Sequence, residues 1–223
     1  MKKLKNENGA AILIALFVLL IVIAVTTVII TAAMTNSGRI ENREEESRLY
    51  LAAQSAADVL CTDWDNNLLC AFYSSKDWAP SNWGDLKQAP FAVYFWNITT
   101  DVLKGNKEAV ERDVETGKTF NINVTNTNDG SDPFSGIFVT ATIYSMADPA
   151  ECPADTDSKI SENLNMRCVV RASYNEDMSD CYAISFKLEP DCTFLKAAGT
   201  EKITQIAVNW MVRSVAKGDG ADT

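Results

Sequence analysis

From Asn8 to Gly38 the chain contains no charged side chain. Within this stretch, Ala10 to Ala33 reads AAILIALFVLLIVIAVTTVIITAA, dense in Leu, Ile, Val and Ala. About twenty apolar residues in a helix cross the hydrocarbon core of a bilayer, so this run is long enough to span one. Lys2, Lys3 and Lys5 stand just before it, and Arg39-Ile40-Glu41 just after. Basic residues are retained on the cytoplasmic side of a span. The expected topology is a single pass through the cytoplasmic membrane, with a short cytoplasmic N-terminus and the remainder exported.

That topology governs how composition is read. A leader and span over residues 1–35 of the 223 leave enough chain for one ordinary domain. The hydrophobic share of 47% overstates the core of that domain, because the span carries much of it. The net charge of −10 would repel a phosphate backbone, so no nucleic-acid partner is expected. The chain has no histidine, the commonest general base and a frequent metal ligand. GxSxG, a phosphate-binding glycine loop and a paired-carboxylate motif are absent as well. Neither an enzyme, a cofactor nor a metal site is expected.

All the cysteines, Cys61, Cys70, Cys152, Cys168, Cys181 and Cys192, follow the span. An even number confined to the exported side of an anchor reads as disulfides in an oxidising compartment. Zinc is the competing use, but no pair has CxxC spacing and there is no histidine to complete a site. Cys61 and Cys70 make a plausible local bridge; the remaining four can pair in three ways.

Helical composition continues past Asn36-Ser37-Gly38 as RIENREEESRLYLAAQSAADVLCTDW. Tyr50, Ala53, Ala57, Leu60 and Trp64 recur at spacings of three and four and form one apolar stripe. A helix from Ala10 to Cys61 would be about 78 Å long at 1.5 Å per residue. Its first half would suit lipid and its amphipathic second half would pack on a globular domain. Thr62 to about Pro90 reads as a long loop. Alternation then predicts strands at Thr119–Thr125, Ile137–Met146, Cys168–Tyr174, Tyr182–Leu188 and Ile206–Val215. Val102–Val114 reads as a short helix, and Asn128-Asp129-Gly130 and Asn175-Glu176-Asp177 as turns. The expected fold is α+β: a long N-terminal helix, membrane-spanning then amphipathic, packed on an antiparallel β-sheet. Boundaries fall at 1–9 (leader), 10–35 (span), 36–62 (amphipathic continuation), 63–216 (exported domain) and 217–223 (tail).

A short basic leader ending in glycine, an apolar helix starting at the next residue, and an amphipathic continuation into a β-rich domain resemble type IV pilin-like proteins. The closer likeness is to the minor-pilin group with segments of the form GAALxxALxxLLxL and AxxAAExAL. Here these read Gly9-Ala10-Ala11-Ile12-Leu13-Ile14-Ala15-Leu16 and Leu49-Tyr50-Leu51-Ala52-Ala53-Gln54-Ser55-Ala56-Ala57. The resemblance covers roughly the first sixty residues. It implies cleavage by a prepilin peptidase between Gly9 and Ala10, and transfer of the helix from lipid into a filament of pilin subunits at an inner-membrane assembly platform. Such a transfer exchanges lipid contacts for protein contacts at little hydrophobic cost. Loss of Lys2, Lys3, Lys5 and Glu7 removes a net +2, so the mature chain would carry −10 − 2 = −12. Major pilins carry glutamate at the fifth mature position, where this chain has Ile14. An isoleucine cannot neutralise a neighbouring subunit's N-terminal amine in lipid-like surroundings, where an unpaired charge is costly. The resemblance therefore points to a minor pilin or pseudopilin, of the kind placed at filament tips or present in small amounts, rather than the bulk building block.

Two other readings compete. One is a permanently anchored extracytoplasmic binding protein with an uncleaved signal anchor; the other is an ordinary secretory signal cut near Ala33, whose apolar core would be unusually long. Smaller features have ordinary explanations beside sharper ones. Trp64, Trp78, Trp83, Phe91, Tyr94, Phe95 and Trp96 read as a satellite core before a sugar-binding platform. Asn126–Asp132 (NTNDGSD) reads as a turn before a calcium loop. Glu44-Glu45-Glu46, flanked by Arg43 and Arg48, is a solvated helix face or a docking stripe.

Overall fold

The computed structural model describes residues 2–64, 70–80, 90–123, 134–153 and 156–218. Helix α1 (Lys2–Asp63) is followed by strand β1 (Cys70–Ser74), helices α2 (Pro90–Lys104) and α3 (Lys107–Glu115), and strands β2 (Lys118–Ile122) and β3 (Phe138–Ser145). One turn of 3-10 helix (Pro149–Glu151) and helix α4 (Asp157–Asn163) precede strands β4 (Met166–Ser173), β5 (Tyr182–Lys196) and β6 (Ile203–Lys217). The architecture is α+β. The chain divides into two compact units, Met1–Ser47 and Arg48–Thr223.

The first unit is helical. Its described large side chains are exposed, among them Phe17, Leu20, Ile23, Val28 and Ile30. Four threonines interrupt the aliphatic pattern, and each spends its hydroxyl inside the helix. Thr27, Thr31 and Thr35 donate to the carbonyls of Ile23, Thr27 and Thr31 at 2.8, 2.9 and 2.9 Å, and Thr26 donates to Val22. Back-bonding of this kind satisfies a hydroxyl without help from the surroundings.

The second unit is built on a six-stranded antiparallel sheet of order β1-β6-β5-β4-β3-β2. Strands β2 to β6 follow one another as a meander, and β1 closes the far edge by pairing Tyr73 with Ile206. Alternation sets one face of the sheet against the core. On β4 the inward residues are Met166, Cys168, Val170 and Ala172. Across the ladder they meet Leu188, Phe186 and Ile184 of β5, and Ile143, Ala141 and Val139 of β3. The same core contains Leu49, Ala52, Ala53, Ala56, Ala57, Leu60 and Trp64. Small residues at spacings of three and four form a stripe that lets a helix backbone approach its neighbour closely. The rings of Tyr50 and Tyr182 meet edge-on at 5.2 Å, and Trp64 lies 5.3 Å from Phe186.

Several expectations are corrected. Residues 62–90 are not all loop, because Cys70–Ser74 forms a strand that the ladder with β6 creates. The helix expected at Val102–Val114 is two helices, divided at Gly105. Gly105 has φ +70, and a Cβ there would come within 2.4 Å of the Pro153 ring. Helix α4 was not anticipated, and β5 and β6 are longer than their apolar alternation suggested. The expected tail at 217 begins one residue early, since β6 includes Lys217. The turn at Asn175-Glu176-Asp177 does join β4 to β5. Asn126–Asp132 and Trp83 lie outside the described residues.

Candidate functional site

The expected processing residues Gly9 and Ala10 and the atypical Ile14 lie within α1. Further along, α1 is long and apolar enough to cross a membrane. This surface and the small-residue stripe of Arg48–Asp63 are the two features of the helix with functional potential.

The aromatic cluster is core. Trp64, Phe95 and Trp96 are buried, and Phe95 packs edge-on against both Trp64 at 5.5 Å and Trp210 at 5.6 Å. Edge-to-face packing satisfies the ring quadrupoles as well as burying area. Phe91 contacts Phe120 with ring centroids 4.5 Å apart, which fastens α2 to β2. Trp210 also donates its indole N–H to the Leu164 carbonyl at 3.0 Å, so β6 holds the end of α4. These rings are therefore committed to packing, and the sugar-platform reading loses Trp64, Phe95 and Trp96.

A cleft of about 660 Å³ with a mixed lining opens between α2, α3 and β2, lined by Tyr94, Asn97, Arg112, Asp113, Lys118 and Phe120. Sequence reasoning missed it, because these residues are ordinary individually and meet only through the Gly105 break and the β2 edge. Asp113 is buried and accepts from Arg112 Nε at 3.2 Å. That carboxylate holds the Arg112 guanidinium in its charged form more firmly than usual. Burial, and then the charge of Asp113, push the Tyr94 phenol well above its ordinary range. The lining offers hydrogen bonds and charge, but among the described residues it contains no serine, threonine or cysteine that could act as a nucleophile. Among the described residues no cluster of His, Cys, Asp or Glu could hold a metal ion.

The cysteines are scattered across the second unit, and no disulfide joins those whose side chains are described. Cys152 donates to the Asp148 carbonyl at 3.4 Å, and burial raises its pKa. Burial pushes Cys192 up to about 11, partly opposed by a hydrogen bond from Ser161. Cys168 is fully enclosed at the sheet centre and its thiol is held well above the usual range, first by burial and then by the nearby Cys61. Cys181 stands just before β5, half-buried. The backbone of Cys70 pairs with Asn209 at the sheet edge.

Comparison with family models, with curated proteins and with solved structures finds no match for this chain.

Proposed function

We propose that this chain is a minor pilin or pseudopilin: a subunit made with a cytoplasmic leader, processed between Gly9 and Ala10, and assembled through its apolar helix into a pilus-like filament. One observation carries the reading. An apolar segment, with even its threonine hydroxyls turned inward, leads along the chain into the buried small-residue stripe of an α+β domain. A helix of the first kind suits lipid or other apolar helices, and a stripe of the second kind suits a domain carried by that helix. Ile14 leaves no carboxylate at the fifth mature position, which favours a subunit used sparingly or at an end. The packed aromatic core supports a structural role over a sugar-binding surface.

The test is the N-terminus of the membrane-extracted protein, read by intact mass with and without a co-expressed prepilin peptidase. A new terminus at Ala10 that depends on the peptidase is the expected result. An intact Met1 in both samples, beside a control pilin that is cut, would overturn the proposal in favour of a permanently anchored binding protein.

A further inference from the structure

We propose that Cys61 and Cys168 are the two ends of one disulfide, which fastens the C-terminal part of α1 to a central strand of the sheet. The argument begins with facing. Cys168 belongs to the inward set of β4, and its ladder partner on β5 is Phe186. Phe186 is the residue that Trp64 touches, at 5.3 Å. One helical turn before Trp64 stands Cys61, at the edge of the stripe that includes Ala57 and Leu60 and packed against the same core. Helix and strand thus turn the two cysteines toward the same part of the core, and Cys61 is close enough to raise the Cys168 thiol's pKa.

Register sets three of the other cysteines apart from Cys168. Cys70 pairs with Asn209, which pairs with Asp191, so Cys70 is three strands from β4 and five residues along the ladder from Phe186. Three strand spacings amount to about 14 Å and five residues to about 17 Å, far beyond the roughly 7 Å between Cα atoms that a disulfide tolerates. Cys192 is six residues along β5 from Phe186, and Cys181 immediately precedes Tyr182, which pairs with Ala172 rather than with Cys168. The proposed pairing competes with the local bridge from Cys61 to Cys70 that sequence spacing suggests.

The chemistry is thiol–disulfide exchange. A thiolate at half-buried Cys61 attacks an oxidant disulfide, releasing one thiol and leaving a mixed disulfide. The Cys168 thiolate then attacks the Cys61 sulfur and releases the second thiol. Two protein thiols become one S–S bond and lose two protons and two electrons; the oxidant, a protein or glutathione disulfide, is reduced to two thiols. Because Cys168 is enclosed in the folded domain, closure belongs to the folding period in an oxidising compartment. The occurrence of the bond in the cell therefore rests on export, whereas the pairing itself does not.

The decisive experiment separates the two. Purified full-length chain in detergent is equilibrated with oxidised glutathione during recovery from mild denaturant, quenched with N-ethylmaleimide and digested without reduction. The expected result is a Cys61–Cys168 linked peptide that reductant splits and that disappears in Cys61→Ser. In Cys168→Ala, which keeps the site apolar, Cys61 should instead carry glutathione. Recovery of both residues as alkylated thiols, or of Cys61 joined to any other cysteine, overturns the proposal. A linked peptide in vitro that is missing from cell-extracted protein leaves the pairing intact and counts against export.

Discussion

Two stretches of α1 use apolar residues in opposite ways. Over 17–38 the large apolar side chains are Leu, Ile, Val, Phe and Met, and Val28 and Met34 are 68% and 72% exposed. Over 48–64 the inward positions are largely alanine, with Ala52, Ala53 and Ala56 completely enclosed. The contrast teaches that apolarity alone does not mark a core. Bulk on every side fits an apolar solvent supplied from outside the chain, whereas small size on one side fits a neighbouring backbone drawn close. An alanine contributes little burial of its own, and its value lies in the distance it permits.

The comparison can be tested by changes that should hurt one stretch and spare the other. The largest effect expected is from Trp64→Ala, which removes the ring packed on Phe91, Phe95 and Phe186 and should cost about 3–5 kcal/mol of domain stability. Denaturant unfolding followed by near-ultraviolet dichroism would measure it, and resistance to alkaline carbonate extraction should not change. Val22→Asp should do the reverse, weakening membrane insertion by about 3 kcal/mol while the domain's unfolding midpoint stays put. A matched pair sharpens the contrast: Ala53→Leu should overpack the core by about 1–3 kcal/mol, and Ala24→Leu in the exposed stretch should change the same midpoint hardly at all. Equal effects from the two would break the distinction. Gly117→Ala should cost about 1–3 kcal/mol, because φ is +59 and the new Cβ meets the Ile143 carbonyl oxygen at 2.4 Å.

The smallest effect is a pH dependence in the β4–β5 turn. The hydroxyl and backbone N–H of Ser179 donate to Asp177 at 2.7 and 2.9 Å and lower its pKa. A carboxylate that loses its proton more readily when folded contributes stability above its unfolded pKa, and that contribution disappears as pH falls through the folded value. The midpoint difference between the parent chain and Asp177→Asn should therefore be present at neutral pH and vanish in strong acid. A difference that persists there would assign it to something other than the carboxylate charge.

The sequence made the helix and the central strands legible because their patterns are local. Lys118–Ile122, Phe138–Ser145 and Met166–Ser173 alternate or run apolar in the way a half-buried or central strand must. Cys70–Ser74 was hidden because five residues of mixed character become a strand only by meeting β6, more than a hundred positions later in the chain. Helices α2 and α3 merged into one expectation because nothing short of the fold says that Gly105 must turn against Pro153. The cleft was illegible for a related reason. Tyr94, Arg112 and Lys118 are common surface residues until two helices and a strand edge converge. Cysteine pairing was not legible either, since the partner of each cysteine depends on which elements the fold brings together and not on spacing along the chain.

The inward threonine hydroxyls of the first unit have one more consequence. Between Phe17 and Thr35, a surface whose hydroxyl donors are already spent offers nothing directional to whatever lies against it. Lipid chains and apolar helices meet a cylinder that distinguishes neighbours by bulk and length alone, with no preferred azimuth fixed by a hydrogen bond. Such a segment can change surroundings without breaking a single polar contact. By the same token, any directional recognition would have to come from the charged stretch from Arg39 onward and from the domain beyond it.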